Sequence, residues 1–203
     1  IEGCAQCGIW DFAFYDDTLL AGRGRHLKAI LRGILSRGLD VRFHTPNGLH
    51  ARGITPDLAK LMRRAGVKTV RLSLETIEPD RQRNTGGKVT TDDFARAISY
   101  LHSAGYTSEA LGAYILAGLP GQPLSEVEDT VNYVHGLSVQ AKLALFSPIR
   151  GTPDGDRALA VDADPLLHNN TVYPYLQGAG YLGELQRIKQ VAKEGNLALL
   201  REV

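Results

Sequence analysis

Gly112-Ala-Tyr-Ile-Leu-Ala-Gly118-Leu-Pro-Gly121-Gln122 decides how this chain folds, because an apolar strand runs there into a glycine-rich corner and a helical pattern opens directly after it. Glycine accepts positive φ and lets a planar ligand approach the backbone, while Pro120 stiffens the turn. Alone, such a corner is equally a plain strand-to-helix turn. The neighbouring segments give it meaning.

Upstream, Ile9–Tyr15 reads as a buried strand, followed by a helix with Leu27, Ile30, Leu31 and Ile34 on one face. Asp40–His44 is a second strand, and its helix carries Leu58, Leu61, Met62 and Ala65, with Thr55 as cap, Pro56 in the first turn and Gly66 as stop. Lys68–Leu74 is the third strand, and the helix bearing Phe94, Ala97, Ile98 and Leu101 begins at Thr90 and stops at Gly105. The opening stretch is the fourth strand. Its helix starts near Pro123, places Glu126, Glu128 and Asp129 early, where the dipole favours anions, and buries Val127, Val131 and Val134. Ala141–Phe146 is the fifth strand.

Strands alternating with helices imply right-handed crossovers and a parallel α/β sheet, either a barrel or a doubly wound sheet. A partial (βα) TIM-type barrel is favoured, because polar residues recur at the C-terminal end of each strand: Asp16 and Asp17, His44 and Asn47, Ser73 and Glu75, Gly118 and Gly121, Ser147 and Arg150. Residues 1–153 are read as the barrel. Residues 154–203, including a helix with Leu182, Leu185 and Ile188 on one side, are read as an extension packed on it and not as an independent domain.

The chain has 203 residues, 43% of them hydrophobic and 22% charged, with a formal net charge of +1. That is ordinary globular composition, with no clear surface for nucleic acid. No apolar run approaches the ~20 residues that cross a bilayer, and the first residues lack the basic and apolar regions of a signal peptide, so a cytoplasmic location is expected. Two cysteines three positions apart, Cys4 and Cys7, do not suit a structural disulfide.

Taken together, the strand ends resemble the radical S-adenosylmethionine (radical SAM) superfamily, in particular members related to those with cobalamin-binding domains. Phe14-Tyr-Asp16-Asp17 is similar to the family's second-strand segment at the amino group of S-adenosylmethionine, and Arg71-Leu-Ser73-Leu-Glu75-Thr to the fourth-strand segment facing ribose and carboxylate. Tyr114–Gly121 resembles the fifth-strand motif against adenine, and Phe146–Pro153 the sixth-strand segment. The resemblance implies strands two to six of a six-unit partial barrel, with the first unit missing. It also implies the chemistry of a 4Fe-4S cluster that reductively cleaves S-adenosylmethionine to a 5'-deoxyadenosyl radical, which abstracts hydrogen from an unknown substrate.

The ligand's chemistry suits these residues. Its ammonium and ribose diol need acceptors, its carboxylate needs donors, and its adenine needs an apolar wall. Asp16 or Asp17 can accept from the ammonium, Glu75 from the ribose hydroxyls, Ser73 can donate, and the corner with Ile115, Gly118, Pro120 and Gly121 can form the wall.

The family's cluster loop is C-x3-C-x2-C, whereas this chain has only Cys4-Ala-Gln-Cys7. Too few residues separate Cys7 from the strand at Ile9 for a parallel crossover. Ile1–Gly8 is therefore expected to be the tail of the first helix with Gly8 as its stop, its cysteines small buried residues and this chain alone inactive; the alternative is that Cys4 and Cys7, whose C-x2-C spacing matches the last two of the family's cysteines, are cluster ligands.

His44 is a hydrogen-bonded structural residue or faces substrate; Lys88 is not in a phosphate loop but can reach the cofactor's carboxylate; Arg150 binds an anion or sits at the rim; Asn169 and Asn170 suit a helix cap. Two other readings stay open: a redox-independent βα-barrel lyase or isomerase using Asp17, Glu75 and His44, and a non-catalytic remnant that binds S-adenosylmethionine or a nucleotide. A barrel without its first strand exposes a ladder edge, which predicts self-association there.

Overall fold

A computed structural model describes residues 1–84, 87, 89–159, 164–170 and 172–201. The elements are α1 (Glu2–Gln6), β1 (Asp11–Ala13), α2 (Ala21–Ser36), β2 (Arg42–His50), α3 (Pro56–Arg64), β3 (Val67–Glu75), α4 (Pro79–Asn84) and α5 (Thr91–Ser103). There follow β4 (Leu111–Ala117), α6 (Leu124–Gly136), β5 (Gln140–Leu145), α7 (Pro153–Ala158), α8 (Val172–Leu176) and α9 (Ala179–Arg201).

All strand pairs are parallel, and the spatial order is β1-β2-β3-β4-β5. Strand order that never reverses decides between the two architectures. Right-handed crossovers advancing in one direction put every helix on the same face of the sheet, which curls as a barrel wall; a doubly wound sheet must reverse. The fold is α/β, a five-stranded partial TIM-type barrel.

On β3, Val70, Leu72 and Leu74 are buried while Thr69, Arg71, Ser73 and Glu75 are half-exposed, so the strand gives its apolar face to the helices and its polar face to the barrel interior. The helices obey their local signals. Thr55 Oγ1 accepts from the amide of Leu58 at the start of α3, and Thr90 and Asp93 close a reciprocal capping box on α5. Gly66 and Gly105 leave their helices at φ 86° and 89°.

Two strands depart from expectation. Ile9–Tyr15 is not a buried strand: pairing reduces to Asp11–Ala13 at the sheet edge, and Ile9, Trp10 and Tyr15 are exposed, Tyr15 by 75%. An edge strand packs on one side only; Phe12 and Phe14 meet the Phe43 ring at 5.9 and 5.1 Å while the residues between face out. The second strand does not end at His44 but runs to His50. Thr45 pairs with Val70 and Leu49 with Leu72, so Pro46-Asn47-Gly48 bulges from the ladder.

α9 is longer than its three apolar positions suggest. It buries Leu185, Ile188 and Ala192 in the same core as the barrel helices. Asn196 on it accepts from the Ala141 amide at 2.7 Å and donates to the Ala141 carbonyl at 2.9 Å. This side chain therefore satisfies β5's outer backbone groups at that residue. Among the described residues no helix is long and apolar enough to cross a membrane.

Candidate functional site

The bulge on β2 assembles the site. It carries Asn47 toward the loop after β1, where Asn47 Nδ2 donates to Asp17 Oδ1 at 2.6 Å and to the Tyr15 carbonyl at 3.0 Å. Beside it Gly48 lies flat on β3: a Cβ there would fall 2.0 Å from Ser73 Oγ. The result is a cavity of about 220 Å³ bordered by Asp17, Asn47, His50, Ser73, Glu75 and Gln82. Three residues read from the sequence, Asp17, Ser73 and Glu75, thus meet around one cavity at the C-terminal ends of the strands.

The structure separates the aspartate pair. Asp16 Oδ1 accepts from the amide and the hydroxyl of Thr18, at 2.7 and 3.0 Å, and these bonds hold its carboxyl below the usual range. It caps the turn, and only Asp17 borders the cavity.

Glu75 is unusual in its backbone. Its φ is 68°, and the β3–β4 register slips between Ser73 and Glu75. A non-glycine residue in the left-handed region carries strain of about 1–3 kcal/mol, which persists where the surroundings impose it. The twist aims Glu75 between the first cavity and a groove of about 1120 Å³ that runs past Leu116 and Leu119 to Phe146.

Behind that groove the glycine corner is stapled by one side chain. Gln122 Oε1 accepts from the amides of Gly118 (2.9 Å) and Leu119 (3.2 Å), and its Nε2 donates to the Leu116 carbonyl (3.0 Å). Gly118 and Gly121 stand at φ 95° and 70°. Glu126 joins the corner to β3, accepting from Thr76 Oγ1 at 2.6 Å, from Arg81 Nε at 2.8 Å and from Gln122 Nε2 at 3.3 Å. Thus Gly118, Pro120 and Gly121 shape the corner, while the apolar surface facing the groove belongs to Leu116, Leu119 and Phe146. Ile115 does not form it: with no exposed surface, Ile115 lies in the helix-facing core.

The profile of the radical SAM superfamily matches residues 8–134, more than half of the chain. The chain belongs to the radical SAM superfamily. No curated protein matches it. Among solved structures it is similar to a radical S-adenosylmethionine methyltransferase, TsrM from Kitasatospora setae, solved with cobalamin and a [4Fe-4S] cluster. That match has 20% identity and a TM-score of 0.63, over 77% of this chain and 32% of that one. The same enzyme with tryptophan substrate and the analogue aza-SAM matches at 21% identity and a TM-score of 0.65, over 77% and 31%. The radical SAM enzyme HemN, the coproporphyrinogen III oxidase of Escherichia coli, matches at 17% and 0.52, over 79% and 37%. These likenesses show the fold, and the chain spans about a third of the length of each structure.

Among the described residues Cys4 and Cys7 are the thiols that could face a cluster. Cys4 lies in α1 and Cys7 caps it; both thiols are exposed, contrary to the expectation of small buried residues, because the short helix turns them outward. Gly8 ends this helix at φ 82°, as expected. Among the described residues no group of three His, Cys, Asp or Glu side chains could hold a metal.

His44 is structural: its ring nitrogens meet Thr69 Oγ1 at 2.9 Å and Asp11 Oδ1 at 3.3 Å, and Asp11 also pairs with Arg42. Asn169 Oδ1 accepts from the Val172 amide as a cap for α8. Lys88 lies outside the described residues. Sequence reasoning missed His50, Gln82 and the staple formed by Gln122. A polar residue directly after a glycine corner was the available signal for the last; the first two carried none.

Proposed function

We propose that this chain is the S-adenosylmethionine-binding core of a radical SAM enzyme. The carrying observation is that Asp17, Ser73 and Glu75, from three different strand ends, border one cavity, with Glu75 in a strained conformation that turns it toward the adjoining groove. Asp17 accepts from the cofactor's ammonium and Asn47 holds that carboxylate in place. Ser73 donates to the cofactor's carboxylate. Glu75, whose carboxylate has no hydrogen-bond partner among the described residues, accepts from the ribose diol. Leu116, Leu119 and Phe146 give adenine an apolar bed.

Held there by Asp17, Ser73 and Glu75, S-adenosylmethionine would supply one-electron chemistry, given a one-electron reductant that the described residues do not themselves provide. The residues of this chain bind and orient it and exclude water. Cys4 and Cys7, both exposed, are two thiols in the C-x2-C spacing that closes the family's three-cysteine loop.

Calorimetric titration with S-adenosylmethionine tests the reading. The chain is expected to bind it, with Asp17→Ala and Glu75→Ala each weakening binding about tenfold or more. No binding, or binding that neither change affects, overturns it.

A further inference from the structure

The inner wall of the barrel carries positive charge that the cofactor reading does not use. Arg71 and Lys142 both face the interior: Arg71 is opposite Gly112, and Lys142 opposite Tyr114 on the same strand. Arg71 lies across Gly112, where a Cβ would be 2.9 Å from its Cδ, and its Nη1 donates to the carbonyls of Ala110 (3.2 Å) and Val70 (3.4 Å). Two carbonyls engage few of a guanidinium's five donors and none of its charge. Burial lowers the pKa of both residues, and the Arg71 charge lowers that of Lys142 further, with no carboxylate of the described residues acting on either.

Lys142 opens into a cavity of about 570 Å³ at the β5 edge, bordered also by Tyr114, Gln140, Lys189, Lys193 and Asn196. Its charged lining is three lysines. Among the described residues none of the three is in an ion pair, although the chain as a whole is near neutral. Tyr114 reaches across β3 to donate to the Pro46 carbonyl at 2.7 Å, and so bounds the cavity on the side of the β2 bulge. Lys142 and Arg71 are like charges held half-buried, at a cost in free energy that an oxyanion beside Lys142 offsets, while Lys193 is exposed.

We propose that Lys142, backed by Arg71 and joined by Lys189 and Lys193, forms a binding site for the phosphate or carboxylate group of a small molecule. The cavity is of the size that takes such a ligand. Assigning that molecule as the enzyme's substrate rests on the function proposed above; the binding of the anion does not.

The probes are sodium pyrophosphate and sodium citrate, titrated into the whole chain whose lysines have been reductively methylated with ¹³C, with chloride at matched ionic strength as reference. The Lys142 resonance, assigned by its loss in Lys142→Met, is expected to move saturably with at least one probe. Calorimetry of unmodified protein is expected to show binding weakened about tenfold in Lys142→Met. The paired change Lys189→Ala and Lys193→Ala, on the surface of α9, is expected to weaken it several-fold and serves if Lys142→Met does not fold. Response to pyrophosphate alone identifies a phosphate site, and response to citrate alone a carboxylate site. Movement no greater than chloride produces, or binding that neither variant weakens, overturns the proposal. S-Adenosylmethionine affinity measured on Lys142→Met is expected to be unchanged, so failure of the anion site and failure of the cofactor reading are distinguishable.

Discussion

Asp16 and Asp17 are neighbours in sequence with opposite tasks, one tying a turn and the other bordering the cavity. Asp16→Ala is expected to leave S-adenosylmethionine affinity unchanged while slightly lowering the melting temperature, as loss of a capping bond does; thermal melting and calorimetry read the two effects separately. Glu75→Gly makes the converse case. Relief of left-handed strain, less the entropy glycine loses on folding, is expected to raise stability by about 0.5–1 kcal/mol in chemical denaturation, while cofactor binding weakens as in Glu75→Ala. The site was legible as residue types at strand ends, and less so as individual atoms. Ile115 and Leu116 are both apolar, so composition could not say which faces the groove. A strand alternates faces every residue, and only the register settles the parity. Gly112, near the start of that strand, has no side chain, and the space this leaves is taken by Arg71.

At the scale of elements, caps were the most legible features because their chemistry is local. The α5 capping box was readable as Thr90 and Asp93; the approach of Arg52, forty-odd positions away, was not. Burial would raise the Asp93 pKa, but hydrogen bonds from Arg52 and from Thr90 outweigh it and hold the carboxyl at about 2. A carboxyl depressed in the folded state stabilises fully above its unfolded value near 4, and that contribution disappears as pH falls to about 2. Asp93→Ala is therefore expected to cost about 1 kcal/mol at neutral pH, with the gap between mutant and parent closing as melts are run from pH 5 down to pH 2. The β2 bulge was hidden for a different reason. Pro46 and Gly48 signal an interrupted strand, but the pairing that resumes at Leu49 depends on β3.

Across the whole molecule, the direction of winding follows from alternation of strand and helix, and so was legible early. How each edge of the sheet is treated was not. α9 seals the β5 edge through contacts between residues more than fifty positions apart: Asn196 on Ala141, and Gly195 so close to α6 that a Cβ would fall 2.2 Å from the His135 ring. Asn196→Ala leaves both backbone groups of Ala141 without that partner and is expected to cost about 1–3 kcal/mol in denaturant unfolding. At the other edge β1 pairs with β2 alone among the described residues, beside exposed Ile9 and Trp10. The paired change Ile9→Lys and Trp10→Lys is expected to reduce concentration-dependent association in light scattering; unchanged association would place the contact elsewhere.

The contrast between those edges gives the sheet a direction of growth. α9 already takes β5's outer backbone groups at Ala141, whereas the outer edge of β1 pairs with nothing among the described residues, so the ladder lengthens more readily from β1. A further strand, from the same polypeptide or from another, would find its free backbone groups in front of the first strand.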